Sequence, residues 1–598
     1  MRERFRKRRA SRAKGGPYKR LFSYMKPYRG KLFTAIIFIF LAAIASSLAP
    51  LFTGFCTNQM AIIFEQNNYH SEAGQRFLTL LCFMVGAYIL NGVFTYLGTW
   101  LIVGATESTI YDLRKEIEAK LARLPLNYYD TNSYGDILSR VTNDVDTISN
   151  SLQQSVYQIL NAIFSLLFVF IVMLSISGVL TLVGVITIPF ALFAAARIAK
   201  RAQVKIVTQQ NDTGKLNGIV EEYYGGHNVV TVFGQEEFVI DIFEETNQEL
   251  YENSRDGQFL SGMLMPIMQN MTNFSYALVC VFGAMVAIFG GLSIGMIQSF
   301  TMYLRQFSQP LTQVTQLSAI MQQTGAASER IFEFLDEEEE VPDVAEPKFP
   351  EPLKGEVDFD HIRFGYIPHQ TLIHDLDLTI GAGEKTAIVG PTGAGKTTLV
   401  NLVMRFYDVR EGAIRIDGVN IRDMQRRRLR EIFAMVLQDT WLYVGTIMEN
   451  IRYGRLDATD EEVIEAAKKA RADAFIRTLP GGYNFELEEG ASNIAQGQRQ
   501  LLTIARAMLA DAPIMILDEA TSSVDTRTEV LINEAMEEMM KGRTSFIIAH
   551  RLSTIRDADN IMYMQDGDIL EVGNHEELMA KDGLYAKLYN SQFPDEDE

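Results

Sequence analysis

Apolar residues dominate the first half of the chain, in three long segments that contain almost no basic residue. Lys and Arg are absent from residues 141–196 and 256–304, and the first segment, 32–113, contains only Arg76. A helix needs about 20 apolar residues to cross a bilayer, so each segment is long enough for two spans joined by a turn. The pattern predicts six membrane-spanning helices, near residues 32–55, 77–103, 152–175, 178–197, 263–290 and 294–318.

The basic residues between these hairpins predict the topology. Residues 114–140 and 197–255 carry Lys and Arg, and such segments face the cytoplasm under the positive-inside rule. Both chain ends are then cytoplasmic as well. Charged and apolar residues recur at helical spacing in these connections. This spacing predicts helices that extend past the membrane and turn at tips near Tyr128–Gly135 and Tyr223–His227, where Gly, Asn and Asp interrupt the pattern.

The pattern of the second half is that of a soluble α/β domain. Val357–Phe364 alternates apolar and polar residues as a strand does, and Ile373–Ile380 is a second strand-like run. Residues 512–519 and 545–550 are apolar runs typical of buried strands, and each ends in ionisable residues. An antiparallel opening followed by strands that alternate with helices predicts an α/β domain with a small β subdomain.

Composition agrees with this division into a membrane half and a soluble half. The chain has 598 residues, of which 47% are hydrophobic and 22% charged, and its mean hydropathy is +0.03. The net charge of −19 argues against a nucleic-acid partner. Part of that acidity is the run Asp336–Glu340, which we interpret as solvated linker. The predicted domains are a basic N-terminal segment at 1–30, a six-helix transmembrane domain at 31–322, a linker at 323–353, an α/β domain at 354–590 and an acidic tail at 591–598.

One glycine-rich stretch lies between a strand-like run and a helix-like run and carries the most specific chemistry of the chain. It consists of Gly390, Pro391, Thr392, Gly393, Ala394, Gly395, Lys396, Thr397 and Thr398. Glycines let successive backbone N–H groups turn toward a phosphate, Lys396 can reach the β- and γ-phosphates, and the Thr397 hydroxyl suits Mg²⁺. A plain glycine-rich turn is the alternative. The strand before and the helix after favour a nucleotide site.

Two later strand ends add acid–base chemistry. Asp518 can hold Mg²⁺ at the end of the run 512–519, and Glu519 can accept a proton from the attacking water. In isolation this pair could start a helix, and His550 could be an ordinary strand-end histidine. The glycine-rich loop upstream favours the catalytic interpretation of the two carboxylates.

With these elements in order, the chain resembles the ABC exporters of the bacterial multidrug type. In that family each subunit joins a six-helix membrane domain, the type I or type IV exporter fold, to a P-loop ABC nucleotide-binding domain. The resemblance covers nearly the whole chain and implies an ATPase with ATP and Mg²⁺ as cofactors. It implies adenine stacking by Tyr366, catalytic roles for Lys396, Gln438, Glu519 and His550, metal contacts from Thr397, Gln438 and Asp518, and a D-loop of Ser522, Ser523, Val524 and Asp525.

The chain departs from this family in the signature motif. The family motif Leu-Ser-Gly-Gly-Gln is replaced by Ile494, Ala495, Gln496, Gly497 and Gln498. Ala495 lacks a hydroxyl for the γ-phosphate of the opposite site, a hydrogen bond worth about 1.5–3 kcal/mol. Gln496 adds bulk where the family has glycine. The resemblance implies two ATPase domains that close head to tail, so the sequence predicts a heterodimer with a second, non-identical half-transporter that supplies an intact signature.

The membrane segments themselves give few clues to a substrate. Arg305 is the one ionisable candidate for contact with a substrate or gate, and a structural pairing is the alternative. Pro50, Pro189 and Pro266 are interpreted as ordinary kinks, with gating as the alternative. The chain also holds 25 Met and 36 Phe, which provide adaptable apolar surface.

The predicted function is that of one subunit of an ATP-driven exporter, multi-pass in the plasma membrane, with the ATPase domain in the cytoplasm. It would move hydrophobic or amphipathic compounds out of the cytoplasm or inner leaflet, so the bilayer and a small hydrophobic substrate are expected partners. A lipid or peptide exporter of the same fold stays open, as does an ATP-gated channel or regulatory subunit. The three apolar hairpins exclude a soluble ABC ATPase, and the fusion of the ATPase domain after the spans disfavours import.

Overall fold

The chain folds into two compact units. The computed structural model describes residues 16–66, 72–289, 291–367, 369–437, 440–518, 525–548 and 555–592. One unit comprises Met1–Ala122 and Asn132–Glu337, and the other comprises Arg123–Thr131 and Glu338–Glu598. The short segment Arg123–Thr131 comes from the first predicted connection between membrane hairpins, yet it belongs to the C-terminal unit.

The first unit is helical throughout its described part. Residues 35–65 are apolar around the whole helix rather than along one stripe, which is typical of a helix that crosses a membrane. In chain order the helices are α1 (Pro17–Met25), α2 (Arg29–Gln66), α3 (Glu72–Leu121), α4 (Leu126–Thr131, in the second unit), α5 (Tyr134–Ser139), α6 (Val145–Ile176), α7 (Gly178–Gly225), α8 (His227–Val232), α9 (Glu236–Ile288) and α10 (Ile294–Leu335).

Five helical segments of the described chain are long and apolar enough to cross a membrane, and they contain α2, α3, α6, α7 and α9. These candidate spans coincide with the first five predicted spans. The helices also extend well past those spans: α3 continues to Leu121, and α9 begins at Glu236. The helical spacing of the charged connections predicted this extension. Helix α10 forms where the sixth span is predicted, but its composition is too polar to qualify, so the sixth span stays a prediction.

The polarity of α10 is explained by its packing. Phe300, Tyr303 and Leu304 are fully buried in a cluster with Val169 and Met173 of α6. A helix that packs among other helices does not need an apolar surface on all sides. This packing is why hydropathy alone is a poor guide to α10.

Helix α10 also bonds to α2 around Pro50. The Ser299 hydroxyl donates to the Pro50 carbonyl oxygen at 2.7 Å, and the Tyr303 hydroxyl donates to the Ser47 carbonyl oxygen. Side-chain hydroxyls that donate to backbone carbonyls across a helix pair are a common polar contact between membrane helices. Pro50 thus lies at a helix–helix contact.

The other residues singled out in the spans have structural surroundings of their own. Pro189 and Pro266 lie inside the continuous helices α7 and α9. The Arg305 guanidinium lies 5.4 Å from the ring centroid of Tyr276 on α9, within the range of a cation–π contact. Tyr276 is therefore a partner for the structural pairing of Arg305 that the sequence left open. Roles of Arg305 in substrate contact and of the prolines in gating stay predictions.

The described part of the second unit contains three sheets. The four-stranded antiparallel sheet has the order β2-β1-β4-β5, the six-stranded sheet β12-β11-β3-β10-β9-β6, and the smallest pairs β7 with β8. The strands are β1 (Val357–Phe364), β2 (Ile373–Ile380), β3 (Lys385–Val389), β4 (Glu411–Ile416), β5 (Val419–Asn420), β6 (Phe433–Val436), β7 (Gly445–Thr446), β8 (Glu486–Leu487), β9 (Ile514–Asp518), β10 (Thr544–Ile548), β11 (Asn560–Gln565) and β12 (Asp568–Gly573).

Strands β3, β6, β9, β10 and β11 are parallel and apolar on both faces, as expected for a sheet covered on both sides. On β10, Ile547 belongs to one hydrophobic core while Phe546 and Ile548 belong to the other. The described helices of this unit, besides α4, are α11 (Lys396–Val403), α12 (Arg426–Glu431), α13 (Ile447–Arg452), α14 (Asp460–Lys469), α15 (Asp473–Ile476), α16 (Gln496–Ala510), α17 (Thr526–Met540), α18 (His575–Ala580) and α19 (Leu584–Gln592).

The connection between the halves differs from its prediction. Helix α10 runs to Leu335, past the predicted end of the membrane domain at residue 322, and the units divide after Glu337. The interpretation of the acidic run as solvated linker is wrong for Glu340, whose carboxylate lies 3.4 Å from Arg426 and 3.5 Å from Arg430. Arg426 is only 8% exposed, so the ion pairs fix this part of the linker to the unit that follows.

Candidate functional site

The glycine-rich loop joins β3 to α11 at the carboxyl edge of the parallel sheet. Gly390 has a φ of +149°, and a Cβ there would be 2.0 Å from the Met564 carbonyl oxygen of β11. Gly395, which precedes α11, has a φ of +107°. Any larger residue at position 390 would clash with that carbonyl oxygen. At position 395 a larger residue would be strained, because side chains other than glycine rarely adopt this positive φ. The loop leads into the N-terminus of α11, where backbone amides and the helix dipole favour an anion such as phosphate.

Lys396 begins α11, and its side chain reaches back across the loop. Its Nζ donates to the carbonyl oxygens of Gly390 at 2.8 Å and Pro391 at 3.1 Å. Burial lowers the pKa of the Lys396 ammonium, and the negative charge of Asp518 opposes that shift. The loop and the end of β9, which the sequence assigns to one site, are therefore close enough to interact in the structure.

The sheet brings these groups together at one edge. Only β10 separates β3 from β9, and the three strands are parallel. The glycine-rich loop that follows β3 and the last residue of β9, Asp518, are therefore on the same side of the sheet. Thr397 is exposed at the start of α11 and Asp518 is half-buried. A hydroxyl and a carboxylate are oxygen ligands that Mg²⁺ takes together with phosphates, so these residues fit a Mg²⁺–nucleotide complex. When bound, the ion would neutralise charge on the phosphates.

Several predicted site residues lie outside the described part of the chain, and their roles stay predictions. The strands that precede three of them are described: β6 ends at Val436, β9 at Asp518 and β10 at Ile548, at the same edge of the sheet. The residues concerned are Gln438, Glu519, Ser522, Ser523, Val524 and His550.

The fourth D-loop residue, Asp525, is described and caps α17. Its Oδ2 accepts a hydrogen bond from the Thr528 backbone N–H at 3.0 Å, which lowers the pKa of the Asp525 carboxyl. A charged cap at a helix N-terminus is stabilising because it satisfies a free amide and complements the dipole. Asp525 therefore has a local structural role as the N-cap of α17.

Tyr366, the predicted adenine-stacking residue, belongs to a cluster of three aromatic rings. Its ring centroid lies 4.9 Å from that of Tyr407 and 5.0 Å from that of Phe364, both edge to face. Its hydroxyl donates to Thr398 Oγ1 at 3.1 Å, and 41% of the residue is exposed. A ring fixed beside α11 with one side open can stack on a planar base. Sequence reasoning missed Tyr407, which matches no motif.

We expect Tyr407→Ala to raise the KM for ATP about 2- to 10-fold and Tyr407→Phe to leave it unchanged. An edge-to-face aromatic contact contributes about 0.5–1.5 kcal/mol, which alanine removes and phenylalanine keeps. Steady-state ATPase of the assembled transporter over a range of ATP concentrations measures the effect. Tyr563→Phe, on β11, is the matched control. An unchanged KM in Tyr407→Ala would show that Tyr407 does not position Tyr366 for the nucleotide.

Tyr407 also contacts the segment Arg123–Thr131 within the second unit. Its hydroxyl donates to the Asp130 carboxylate on α4. Burial, together with this bond to a carboxylate, raises the pKa of Tyr407. The Arg123 carbonyl accepts from the Glu340 backbone N–H at 2.9 Å, and Tyr128 is buried. The segment predicted as a loop tip is therefore packed beside the aromatic cluster.

The signature residues form the start of α16. Ile494 and Gly497 are buried, whereas Ala495 and Gln496 are exposed. Ala495 occupies the N-cap position, its N–H donates to the Gln498 side-chain oxygen at 3.1 Å, and it has no side-chain oxygen of its own to cap the helix. The two residues that depart most from the family pattern are thus the two most exposed of the five.

Comparison with known proteins agrees with this architecture. The family described as ABC transporter transmembrane region matches residues 35–311, and the family described as ABC transporter matches residues 373–522. The chain is 45% identical to the "Fatty acid ABC transporter ATP-binding/permease protein" of Mycobacterium bovis, over 85% of this chain and 80% of the relative. It is 38% identical to the "Uncharacterized ABC transporter ATP-binding protein YfiC" of Bacillus subtilis, over 97% and 94%. It is 34% identical to the "ATP-dependent lipid A-core flippase" of Desulfotalea psychrophila, over 96% and 99%.

The fold and site define a membrane transporter driven by a P-loop ATPase. The chain belongs to the ABC transporter family. Within it the chain is an ABC exporter half-transporter, a multi-pass membrane protein whose second domain hydrolyses ATP.

Proposed function

We propose that the chain is one subunit of a heterodimeric exporter and contributes the catalytic half of its one efficient ATP site. The observation that carries this proposal is the contrast within a single ATPase domain. The loop, Lys396 and Asp518 keep the family's chemistry, while Ala495 and Gln496 are exposed substitutions in the surface that would cover the partner's ATP. A second, non-identical half-transporter with an intact signature would complete the site.

In this proposal the groups of this chain act on ATP bound at its own loop. Lys396 binds the phosphates, and Glu519 accepts the proton of the attacking water while Gln438 and His550 orient the reactants. Transmission to the membrane helices runs through α4 and through the second tip, 223–233. The hydrogen bond between Tyr407 and Asp130 supports the first of these routes.

The substrate we propose is a hydrophobic or amphipathic compound, as expected for a multidrug exporter. Lipid export is the second candidate, and it is favoured by two relatives whose names specify a fatty acid and lipid A. An ATP-gated channel or regulatory subunit has no such support among the named relatives. In each case the apolar helices give the substrate a route from the bilayer.

Co-expression with a second half-transporter of the same architecture tests the proposal. The purified pair should show ATPase activity and uphill, ATP-dependent movement in vesicles. This chain alone should show at most about a few per cent of the activity of the pair, because it lacks an efficient signature. A cationic dye and a fluorescent phospholipid, supplied in separate vesicles, distinguish drug from lipid transport. Full ATPase activity from this chain alone would overturn the heterodimer, and current without pumping would favour the channel.

A further inference from the structure

An exposed stripe of cations and aromatic rings runs along α1, the single 3-10 turn Lys26–Tyr28 that follows it, and the start of α2. Its members are spaced three or four residues apart, as on one side of a helix. Phe22 is 54% exposed and Phe33 is 65% exposed. The stripe, which we call the outer α1 face, consists of Lys19, Phe22, Lys26, Arg29 and Phe33, all exposed.

The opposite side of α1 is fixed to the first unit. Leu21 and Met25 are 1% and 3% exposed. Three hydrogen-bonded pairs hold the same side, with partners on α3 and just after α10: Arg20 with Asp336 at 2.7–2.8 Å, Tyr24 with Glu116 at 2.6 Å, and Tyr28 with Asp112 at 2.7 Å. These contacts fix which side of α1 faces the rest of the first unit. The carboxylates of Asp336, Glu116 and Asp112 are hydrogen-bonded to residues on that inner side.

The cations of the outer α1 face are left without acidic partners. Among the residues that the structure describes, Lys19, Lys26 and Arg29 make no ion pair, and residues 16–31 contain no Asp or Glu. The sequence adds eight Lys and Arg and a single Glu within residues 1–15. This positive charge belongs to a chain whose net charge is −19, so it is strongly segregated.

We propose that the outer α1 face binds the headgroups of anionic phospholipids. The cations match the phosphates in charge, and the two phenylalanines of the same face can insert at the boundary of headgroups and acyl chains. The face also continues directly into α2, whose apolar stretch is a candidate span, so it lies where the chain meets the bilayer. An acidic soluble partner would not require the exposed aromatic rings at that boundary.

The test is lipid binding by the full-length chain in mild detergent, followed by native mass spectrometry. Phosphatidylglycerol and phosphatidylcholine are titrated separately, and the ratio of their apparent affinities is measured. The wild-type chain should prefer phosphatidylglycerol. The variant Lys19→Gln/Lys26→Gln/Arg29→Gln should lose about fivefold in phosphatidylglycerol affinity per charge removed, since each surface cation contributes about 1 kcal/mol. Raising the salt concentration should weaken the preference through screening.

A matched control removes three exposed cations from the other unit: Arg427→Gln/Lys468→Gln/Lys469→Gln. This control should keep the wild-type preference, and Phe22→Ser should weaken the binding of both lipids. Equal affinities for the two lipids in the wild-type chain, or equal losses in the two triple variants, would overturn the proposal. The measurement does not involve ATP, so it is independent of the proposed heterodimer and its catalytic site.

Discussion

Glu519→Gln should lower the ATPase rate of the assembled transporter by about 10²- to 10⁴-fold and leave the affinity for ATP unchanged. General-base catalysis contributes an acceleration of this size, and the amide of glutamine cannot accept the proton of the attacking water. Glu519 follows Asp518 in the sequence, and Asp518 ends β9 at the edge of the sheet where the glycine-rich loop begins, with β10 between β9 and β3. Binding depends on the loop and on Lys396, which this change does not touch.

Turnover and equilibrium binding of a fluorescent ATP analogue together measure the effect. Glu537→Gln, an exposed change on α17 of the same domain, should behave as the wild type. Near-normal turnover in the Glu519→Gln pair would show that another group is the base. A parallel loss of binding would instead indicate that the substitution disturbs the loop, and the catalytic role would then be unsupported.

The nucleotide loop is the part of the site that sequence predicts best, because its requirements are local. Gly390 and Gly395 are needed for a close approach and a left-handed conformation, and each requirement is visible as a glycine at fixed spacing from Lys396. Strands β1, β2, β3, β9 and β10 could be predicted for the same reason. Alternation and turn residues report on neighbours a few positions away.

Contacts between distant parts of the chain could not be predicted in this way. Nothing in the spacing around Tyr407 indicates that its hydroxyl bonds to Asp130, or that α4 belongs to the unit of the ATPase domain. Likewise, Glu340 belongs to an acidic run that looks solvated until Arg426 is brought beside it. These contacts depend on how the elements pack, which periodicity does not encode.

Prediction of the membrane half from sequence is limited for a different reason. Hydropathy identifies a span by an apolar stretch long enough to cross the bilayer, and five helical segments of the described chain satisfy that criterion. Helix α10 buries Phe300, Tyr303 and Leu304 inside the bundle and uses Ser299 and Tyr303 to bond to α2. The absence of Lys and Arg up to Leu304 predicted its position where apolarity alone would not.

Repair of the signature, Ala495→Ser/Gln496→Gly, should raise the ATPase rate of this chain on its own by about 10- to 100-fold. A serine hydroxyl at the start of α16 can donate to the γ-phosphate held by a second copy, and a hydrogen bond to a charged group is worth about 1.5–3 kcal/mol. Glycine removes the exposed Gln496 side chain from the surface that phosphate must approach. In the heterodimer the same repair should at most double turnover, since one site is already efficient.

The same serine would also cap α16, where Ala495 has no side-chain oxygen, and this would stabilise the domain by about 0.5–2 kcal/mol. A gain in activity must therefore be separated from a gain in folded protein. Ala495→Ser alone should raise the melting temperature, and adding Glu519→Gln to the repaired chain should remove the new activity while keeping that increase. If the repaired chain melts at a higher temperature but hydrolyses ATP no faster, the two exposed substitutions are not what makes this signature weak.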